Sequence, residues 1–204
     1  GLCVAYLIIF PPFVLPFCTL RGAIEETNGL PGPDTINISS GTYQLDIDGI
    51  NEDSAATGDL DILDTLQIIG KGINRTYING NRLDRVFDIS NPNAKVTIEH
   101  LTITNGNLPP NLPANHQGGG GIRNKGDLTL QNVSLANNLV NGSTWDDSGG
   151  GLLNISNCVL KDSTVKENHA STGGGIYNGP DGTLSISSST INNNDSLSGG
   201  GLTN

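Results

Sequence analysis

The chain has no methionine, and only 4% of its 204 residues are aromatic. A compact core built around aromatic side chains is therefore disfavoured, so small apolar and polar residues must do the packing. Basic residues are also scarce, with 10 Lys and Arg against 20 Asp and Glu. Because nucleic acids and anionic membranes are bound by clustered Lys and Arg, we expect neither as a partner.

Cysteine is rare as well, and occurs only as Cys3, Cys18 and Cys158. Three cysteines are too few for a disulfide scaffold and leave at least one thiol unpaired; the predicted disulfide joins Cys3 to Cys18. The apolar segment 1–17 contains three prolines and no basic residue. It fits neither a membrane-spanning helix nor a complete signal peptide, so no membrane span is predicted. Because the chain starts with glycine, we expect a processed product or a piece of a longer chain.

The sequence does contain a repeated motif of three glycines, an apolar residue, any residue and asparagine. The four asparagines lie 30, 24 and 26 residues apart, a spacing typical of solenoid repeats. The motif predicts a tight corner, because glycine allows a positive φ and a close approach to the neighbouring coil. The predicted corner residues are Gly119, Gly120, Gly121, Asn124, Gly149, Gly150, Gly151, Asn154, Gly173, Gly174, Gly175, Asn178, Gly199, Gly200, Gly201 and Asn204.

Short alternating segments lie between the glycine motifs, and their apolar residues match from copy to copy. Leu130 and Leu135 correspond to Leu160 and Val165, for example. Alternation with period two, bounded by Asn and Gly, predicts two or three short strands in each repeat. The four clearest segments are 96–106, 128–138, 158–168 and 184–194, and a looser alternation continues upstream through 34–90.

One short helix is predicted before the strands. Leu20, Ala23, Ile24 and Thr27 are spaced as on one helical face, and Asn28-Gly29 with Pro31 beyond is a typical stop signal. We therefore divide the chain into an apolar segment (1–17), a capping helix and turn (18–33) and β-helix coils with an incomplete last coil (34–204). The helix is expected to cover the open end of the first coil.

Strands that repeat without intervening helices can stack into parallel sheets, which predicts an all-β fold, a parallel β-helix. Parallel crossovers are nearly always right-handed, so a right-handed coil is expected. Stacked asparagines can bond through their side-chain amides at the bends. Two ladders are predicted, one of Asn124, Asn154, Asn178 and Asn204 and one of Asn138, Asn168 and Asn194.

Two inserts, 107–117 and 139–148, change the repeat length without disturbing its flanks, and are expected to be exposed loops. The second insert contains Trp145, Asp146 and Asp147. A tryptophan beside carboxylates is a candidate carbohydrate contact. The favoured alternative is that Trp145 packs back onto the sheet.

The segment CTLRGAIEETNGLPGPDTINISSGTYQL (18–45) resembles the Cys-Ser-Leu-Arg-Glu-Ala-Ile type of opening in bacterial secreted right-handed β-helix proteins, although Thr19 and Gly22 depart from that pattern. The GGGIxN and STINNN repeats resemble those of polymorphic outer-membrane proteins and related surface proteins. The resemblance covers 18–204. It implies export and a surface location, and it carries over no catalytic residue.

Acidic residues at Asp46, Asp48, Asp59, Asp61 and Asp64 suggest a Ca²⁺ site, since calcium is bound by oxygen ligands. The favoured alternative is a row of aspartates on the solvent face of strands, so neither a metal nor another cofactor is expected.

A second charged group, Arg82, Asp84, Arg85 and Asp88, is predicted to form surface ion pairs. His100, His116 and His169 share no register, so no acid–base cluster is expected. We therefore predict no enzyme, with a polysaccharide lyase or glycoside hydrolase as the alternative.

Six Asn-x-Ser/Thr sequons occur. Asn154 and Asn194 take ladder positions and should face inward. The predicted glycosylation sites, which can face solvent, are Asn37, Asn74, Asn132 and Asn141.

The final motif, GGGLTN, is the first strand of a coil, while LCVAYLIIF (2–10) is a β-prone segment outside the repeats. Strand addition by this segment, through Val4, Tyr6, Ile8 and Phe10, would join copies head to tail into a filament. The alternative is an arbitrary truncation with the remnant of an export signal. The sequence thus predicts an extracellular, adhesin-like structural protein that self-assembles, with a carbohydrate-binding or carbohydrate-cleaving protein as the alternative.

Overall fold

Short strands joined by glycine and asparagine corners coil into a parallel β-helix, which confirms the predicted fold class. The computed structural model describes residues 18–50, 52–110, 112–113, 117–142 and 147–204. Every strand pair in these ranges is parallel. The elements are α1 (Leu20–Gly29), β1 (Asp34–Asn37), β2 (Gly41–Gln44), β3 (Leu60–Ile62), β4 (Leu66–Ile69), β5 (Thr76–Asn79), β6 (Phe87–Ile89), β7 (Lys95–Thr104), β8 (Asn107–Leu108), β9 (Ile122–Asn124), β10 (Asp127–Ala136), β11 (Leu139–Val140), β12 (Leu152–Asn154), β13 (Asn157–Lys161), β14 (Thr164–Lys166), β15 (His169–Thr172), β16 (Ile176–Asn178), β17 (Thr183–Ser187), β18 (Thr190–Asn192), β19 (Asp195–Ser198) and β20 (Leu202–Thr203).

The strands form three sheets along the coil. The long sheet follows the order β1-β4-β7-β10-β13-β17, with β2, β5, β14 and β18 alongside. The corner sheet follows β3-β6-β9-β12-β16-β20, and each of its last four strands comes directly after the three glycines of a motif. The short sheet is β19-β15-β11-β8. The later coils therefore contain four strand segments, one or two more than the sequence predicts.

The predicted correspondence between repeats is confirmed in the long sheet. Leu130 pairs with Ile98 on one side and with Leu160 on the other. These side chains point inward and are fully buried in one continuous apolar core. Inward aliphatic residues thus stack from coil to coil in place of the missing aromatic core.

Both asparagine ladders are present. Asn124 Nδ2 donates to Asn154 Oδ1 at 2.8 Å, Asn154 Nδ2 to Asn178 Oδ1 at 2.7 Å, and Asn178 Nδ2 to Asn204 Oδ1 at 2.6 Å. The second ladder runs from Asn138 through Asn168 to Asn194 in two 3.0 Å steps. Because the amides of Asn138, Asn154, Asn168 and Asn194 also donate to backbone carbonyls, the ladders satisfy polar groups inside the bends.

The glycine triplets form corners, as predicted. In the motif at 149–151, Gly149 has a φ of +68°, the left-handed region that favours glycine. A Cβ on Gly150 would collide with the carbonyl oxygens of Gly174 and His169 in the next coil. The first glycine therefore makes the turn, and the second permits the close stacking.

The predicted helix is confirmed as α1, which starts after Thr19, whose Oγ1 accepts from Gly22 N at 3.0 Å. Ile24 reaches the core, and Asn28 bonds to the backbone on both sides of β3, at Asp61 O and Leu63 N. The helix therefore packs against the first strand of the corner sheet.

The expectation that the inserts 107–117 and 139–148 are exposed loops is wrong for their first residues. Their first two residues form β8 and β11, which pair with each other, and β11 also pairs with β15. These residues stay in the stack because they bury a small apolar cluster of Leu108, Leu112, Val140 and Ala170.

A buried charge cluster as the candidate functional site

Six charged side chains are buried together at the start of the corner sheet. Asp59 directly precedes β3, and Asp84 and Arg85 come just before β6, in the corner that glycine triplets occupy in later coils. Ionised side chains are almost never buried unless they are paired. We call this set the charge cluster: Asp59, Asp61, Asp84, Arg85, Asp88 and Arg123.

Arg85 contacts Asp59 and Asp84, the two aspartates of the cluster that lie in the corners. Its Nε lies 2.5 Å from Asp59 Oδ2, and its Nη1 donates to Gly118 O in the next coil at 2.9 Å. The backbone N–H of Arg85 also donates to Asp84 Oδ1 at 2.7 Å. Burial raises the pKa of Asp59 well above its ordinary value, and the Arg85 guanidinium opposes that rise. One guanidinium thus links two coils and balances carboxylates that would otherwise be costly to bury.

Asp61, Asp88 and Arg123 form the second half, in a column across β3, β6 and β9. Leu60 and Ile62, on either side of Asp61, lie in the core. Because successive strand residues point to opposite faces, the column faces away from that core. Arg123 Nε donates to Asp88 Oδ1 at 2.9 Å, and Arg123 Nη2 also contacts the same carboxylate. This two-point pairing fixes the planar guanidinium against Asp88.

The outer column is buried because a loop and the helix cover it. Ala55, in loop 52–58, donates its backbone N–H to Asp61 Oδ2 at 2.7 Å. Arg21 of α1 donates to the carbonyl oxygens of Ala55, Gly58 and Asp59 at 2.5, 2.6 and 2.8 Å. Loop 52–58 and α1 therefore cover the column, and hydrogen bonds to backbone hold them together. We call these two elements the roof.

Asp61, the first residue of the column, is fully buried. Burial raises the pKa of Asp61 to about 7, the Ala55 N–H opposes the rise, and nearby carboxylates add to it. One oxygen each of Asp53, Asp61 and Asp88 lies within 4.8 Å of the others, so these three residues have the geometry to hold a metal ion. Within the described ranges, Asp61 Oδ1 is buried without a hydrogen-bond partner.

The expectations for these charged residues are wrong in part. Asp84, Arg85 and Asp88 were expected in surface ion pairs but are buried, and only Arg82 of that group is exposed. The reason is the roof, which covers a strand face that alternation alone assigns to solvent. Among the five aspartates predicted on a solvent face, Asp46 and Asp48 are exposed, Asp64 is half-buried, and Asp59 and Asp61 are buried.

Two arginines of the site were not predicted from the sequence. Arg21 lies within an ordinary amphipathic helix pattern and gives no signal of its own. Arg123 did carry a signal, because it occupies the variable position of the glycine motif, where the later copies have Leu153, Tyr177 and Thr203. A charge inside a structural repeat could have identified it.

The proposed carbohydrate contact receives no support from the described part. Asp147 is 4% exposed, so its carboxylate is not presented on an open loop, and its backbone carbonyl accepts from Ser171 N at 2.9 Å. Trp145 and Asp146 lie outside the described residues.

His100 lies in the long sheet and His169 in the short sheet. His100 Nδ1 lies 2.7 Å from Asn132 Nδ2, and His169 Nδ1 lies 2.9 Å from Asp195 Oδ2 on the surface. His116 lies outside the described residues.

The sequons differ in accessibility. Asn37 and Asn74 are exposed, whereas Asn132 and Asn141 are half-buried. The amide of Asn141 donates to Asn107 Oδ1 at 2.5 Å, and that of Asn132 contacts His100. Glycan attachment at these two would break existing hydrogen bonds, so Asn37 and Asn74 are the stronger candidates.

Cys18 is disulfide-bonded, whereas Cys158 is a free, buried thiol whose pKa burial raises to about 12. The predicted partner Cys3 lies outside the described residues, so the pairing stays a prediction. The predicted self-assembly residues Val4, Tyr6, Ile8 and Phe10 lie outside them too.

Comparison with protein-family models, with curated proteins and with solved structures finds no match. The one helix in the described ranges, α1, is too short and too polar to cross a membrane.

Proposed function

We propose that this chain is an exported, adhesin-like structural protein of the cell surface, and that its copies associate head to tail. The observation that carries the proposal is the face formed by β17, β18, β19 and β20, which we call the acceptor face. Each of these strands pairs with the preceding coil, and no described strand covers its other edge. Unpaired parallel edges of this kind accept added strands.

The acceptor face is also apolar where earlier coils are covered. Ile186 is 38% exposed, although its counterpart Leu160 is fully buried. Leu202 is 42% exposed, although its counterpart Ile176 is fully buried. Covering these side chains would gain about 25 cal/mol for each Å² of apolar surface removed from water.

The proposed occupant of the acceptor face is the segment 2–10 of a second copy. Its sequence, LCVAYLIIF, is rich in β-prone apolar residues and suits strand addition. The contact is heterologous, because the two partners use different surfaces, so repeated association produces a filament unless the rotation closes a ring.

Export and surface location are supported by the acidic composition, by the resemblance of 18–45 to openings of secreted β-helix proteins, and by the exposed sequons. Glycosylation at Asn37 and Asn74 is part of the proposal, because both side chains are exposed.

Two variants of the 204-residue chain test the association. Ile8→Lys alters the donor segment and leaves the acceptor face unchanged, and Leu202→Lys does the reverse. Each variant alone should stay monomeric in analytical ultracentrifugation, whereas the unaltered chain forms long assemblies visible by electron microscopy. An equimolar mixture should form dimers and nothing longer, because only one intact donor and one intact acceptor can then meet.

The matched control is Ile47→Lys, which places the same charge at another exposed apolar residue, outside the acceptor face. This variant should assemble like the unaltered chain. An unaltered chain that stays monomeric at high concentration would contradict the proposal, as would a mixture of the two defective variants that forms no dimer.

A further inference from the structure

Three carboxylates meet at the edge of the charge cluster, and they come from three separate parts of the chain. Asp53 belongs to loop 52–58, Asp61 to β3 and Asp88 to β6. One oxygen of each lies within 4.8 Å of the other two. Calcium–oxygen bonds are about 2.3–2.6 Å long, so oxygens at this separation are compatible with one shared ion.

An independent observation is the unsatisfied oxygen of Asp61. Asp61 is fully buried, and its Oδ2 accepts from Ala55 N at 2.7 Å. Its Oδ1 is buried too and has no hydrogen-bond partner in the part of the chain that the structure describes. A buried carboxylate oxygen without a donor is costly, because it loses its hydration and gains nothing in return. A cation bound to that oxygen would remove the cost.

The local charge balance also favours a divalent cation. Seven carboxylates and four basic groups interact here, so full ionisation leaves an excess of negative charge. The acidic members are Glu25, Glu52, Asp53, Asp59, Asp61, Asp84 and Asp88, and the basic members are Arg21, Arg85, Arg123 and Lys125.

Asp88 can coordinate a cation while it remains paired with Arg123. A carboxylate has about four lone-pair sites, and Arg123 uses two of them, one on each oxygen of Asp88. Asp53 is exposed, so water can enter from its side and complete the coordination. The ligands are all oxygens, which excludes a zinc-type site built from cysteine and histidine.

We propose that Asp53, Asp61 and Asp88 form a calcium site that ties loop 52–58 to the first two strands of the corner sheet. Calcium fits better than magnesium because it tolerates irregular geometry and bidentate carboxylates, whereas magnesium demands a near-ideal octahedron. The ion fastens the roof over the charge cluster and so stabilises the first coils. This role is independent of the acceptor face at the other end of the solenoid.

The test is calorimetric titration of the chelator-treated full chain with CaCl₂, alongside thermal unfolding with and without the ion. The expected result is one saturable site and a higher melting temperature in calcium. Asp53→Asn and Asp61→Asn should each weaken calcium binding about tenfold or more, because fewer charged ligands lower calcium affinity. Asp53 is exposed, so Asp53→Asn should remain folded even if Asp61→Asn does not.

The matched control is Asp181→Asn, which removes one exposed carboxylate from the turn before β17 and should bind calcium like the unaltered chain. Absence of binding heat and of a melting shift at millimolar calcium would overturn the site and would indicate a proton on Asp61 instead. Unchanged affinity in Asp53→Asn would overturn the ligand assignment. Magnesium binding as tight as calcium binding would overturn the choice of ion.

Discussion

The two ends of the corner sheet stack their strands with different side chains. On its inward side, Ile62 and Ile89 in the first strands give way to the asparagine ladder from Asn124 onward. On its outward side, the charges of Asp61, Asp88 and Arg123 give way to Leu153, Tyr177 and Thr203. The corners change in parallel, from Asp84-Arg85 to glycine triplets. The strand β9 carries one feature of each kind, because Arg123 and Asn124 are neighbours.

The difference lies in where each arrangement finds its partners. An asparagine in the ladder bonds to its copies above and below and to local backbone, so each added coil supplies its own partners. The charged end depends on parts that occur once, namely α1, loop 52–58 and the Arg85–Asp59 pair. A repeated chemistry can be copied from coil to coil, whereas a unique one cannot.

The largest loss of stability is expected when Arg123 is replaced by the residue found at the equivalent position of the next coil. Arg123→Leu copies Leu153, the next residue in the column, and leaves Asp88 buried without its guanidinium. Breaking a buried ion pair by removing one partner costs about 3–5 kcal/mol. The midpoint of urea unfolding, followed by circular dichroism, should fall accordingly.

The double variant Asp88→Leu/Arg123→Leu is the control, because it removes both charges and keeps the bulk. It should recover much of the lost stability, since an apolar replacement of a whole buried pair is often neutral. Equal losses in the single and double variants would show that the unpaired charge of Asp88 does not set the cost.

A smaller effect is expected in the ladder. Asn154→Ala removes the acceptor of Asn124 Nδ2 and the donor to Asn178 Oδ1. An unsatisfied buried polar group costs about 1–3 kcal/mol, and Asn124 keeps a bond to Asn157 O, so the free energy of unfolding should fall by about 2–3 kcal/mol.

Asn192→Ala, at an exposed strand position, should change stability little. Amide hydrogen exchange should show the loss in β12 and β16. A change of less than about 0.5 kcal/mol would mean that the ladder contributes no net stability.

The repeated half could be predicted from the sequence because repetition is itself information. Four copies of one motif fix the register, and the register places Asn124, Asn154 and Asn178 on one inward column. The strand pattern was also readable, since inward residues such as Leu130 alternate with polar ones. The four strands of the short sheet, β8, β11, β15 and β19, were missed, because segments of two to four residues are too short to show a clear alternation.

The charged half could not be predicted, because its burial comes from tertiary contacts that occur only once. Alternation correctly places Asp61 and Asp88 on the outward side of their strands. It cannot reveal that loop 52–58 folds back over them or that Arg21 reaches from the helix to hold that loop. The one local clue was Arg123, whose charge interrupts the repeat.

The smallest effect on stability is expected when a corner glycine is replaced by alanine. It is compared with the same replacement at the end of α1. In Gly150→Ala the new Cβ would meet backbone oxygens of Gly174 and His169, which cannot move without shifting a whole coil. Overpacking of this kind costs about 1–3 kcal/mol. The matched control is Gly29→Ala at the end of α1, where nothing lies within 4 Å of the added methyl group and the backbone is not in the left-handed region. That change should leave the urea midpoint nearly unaltered. If both substitutions had the same effect, close stacking would not be the reason for glycine at position 150. Close stacking would then not distinguish the glycine corners from the Asp84-Arg85 corner.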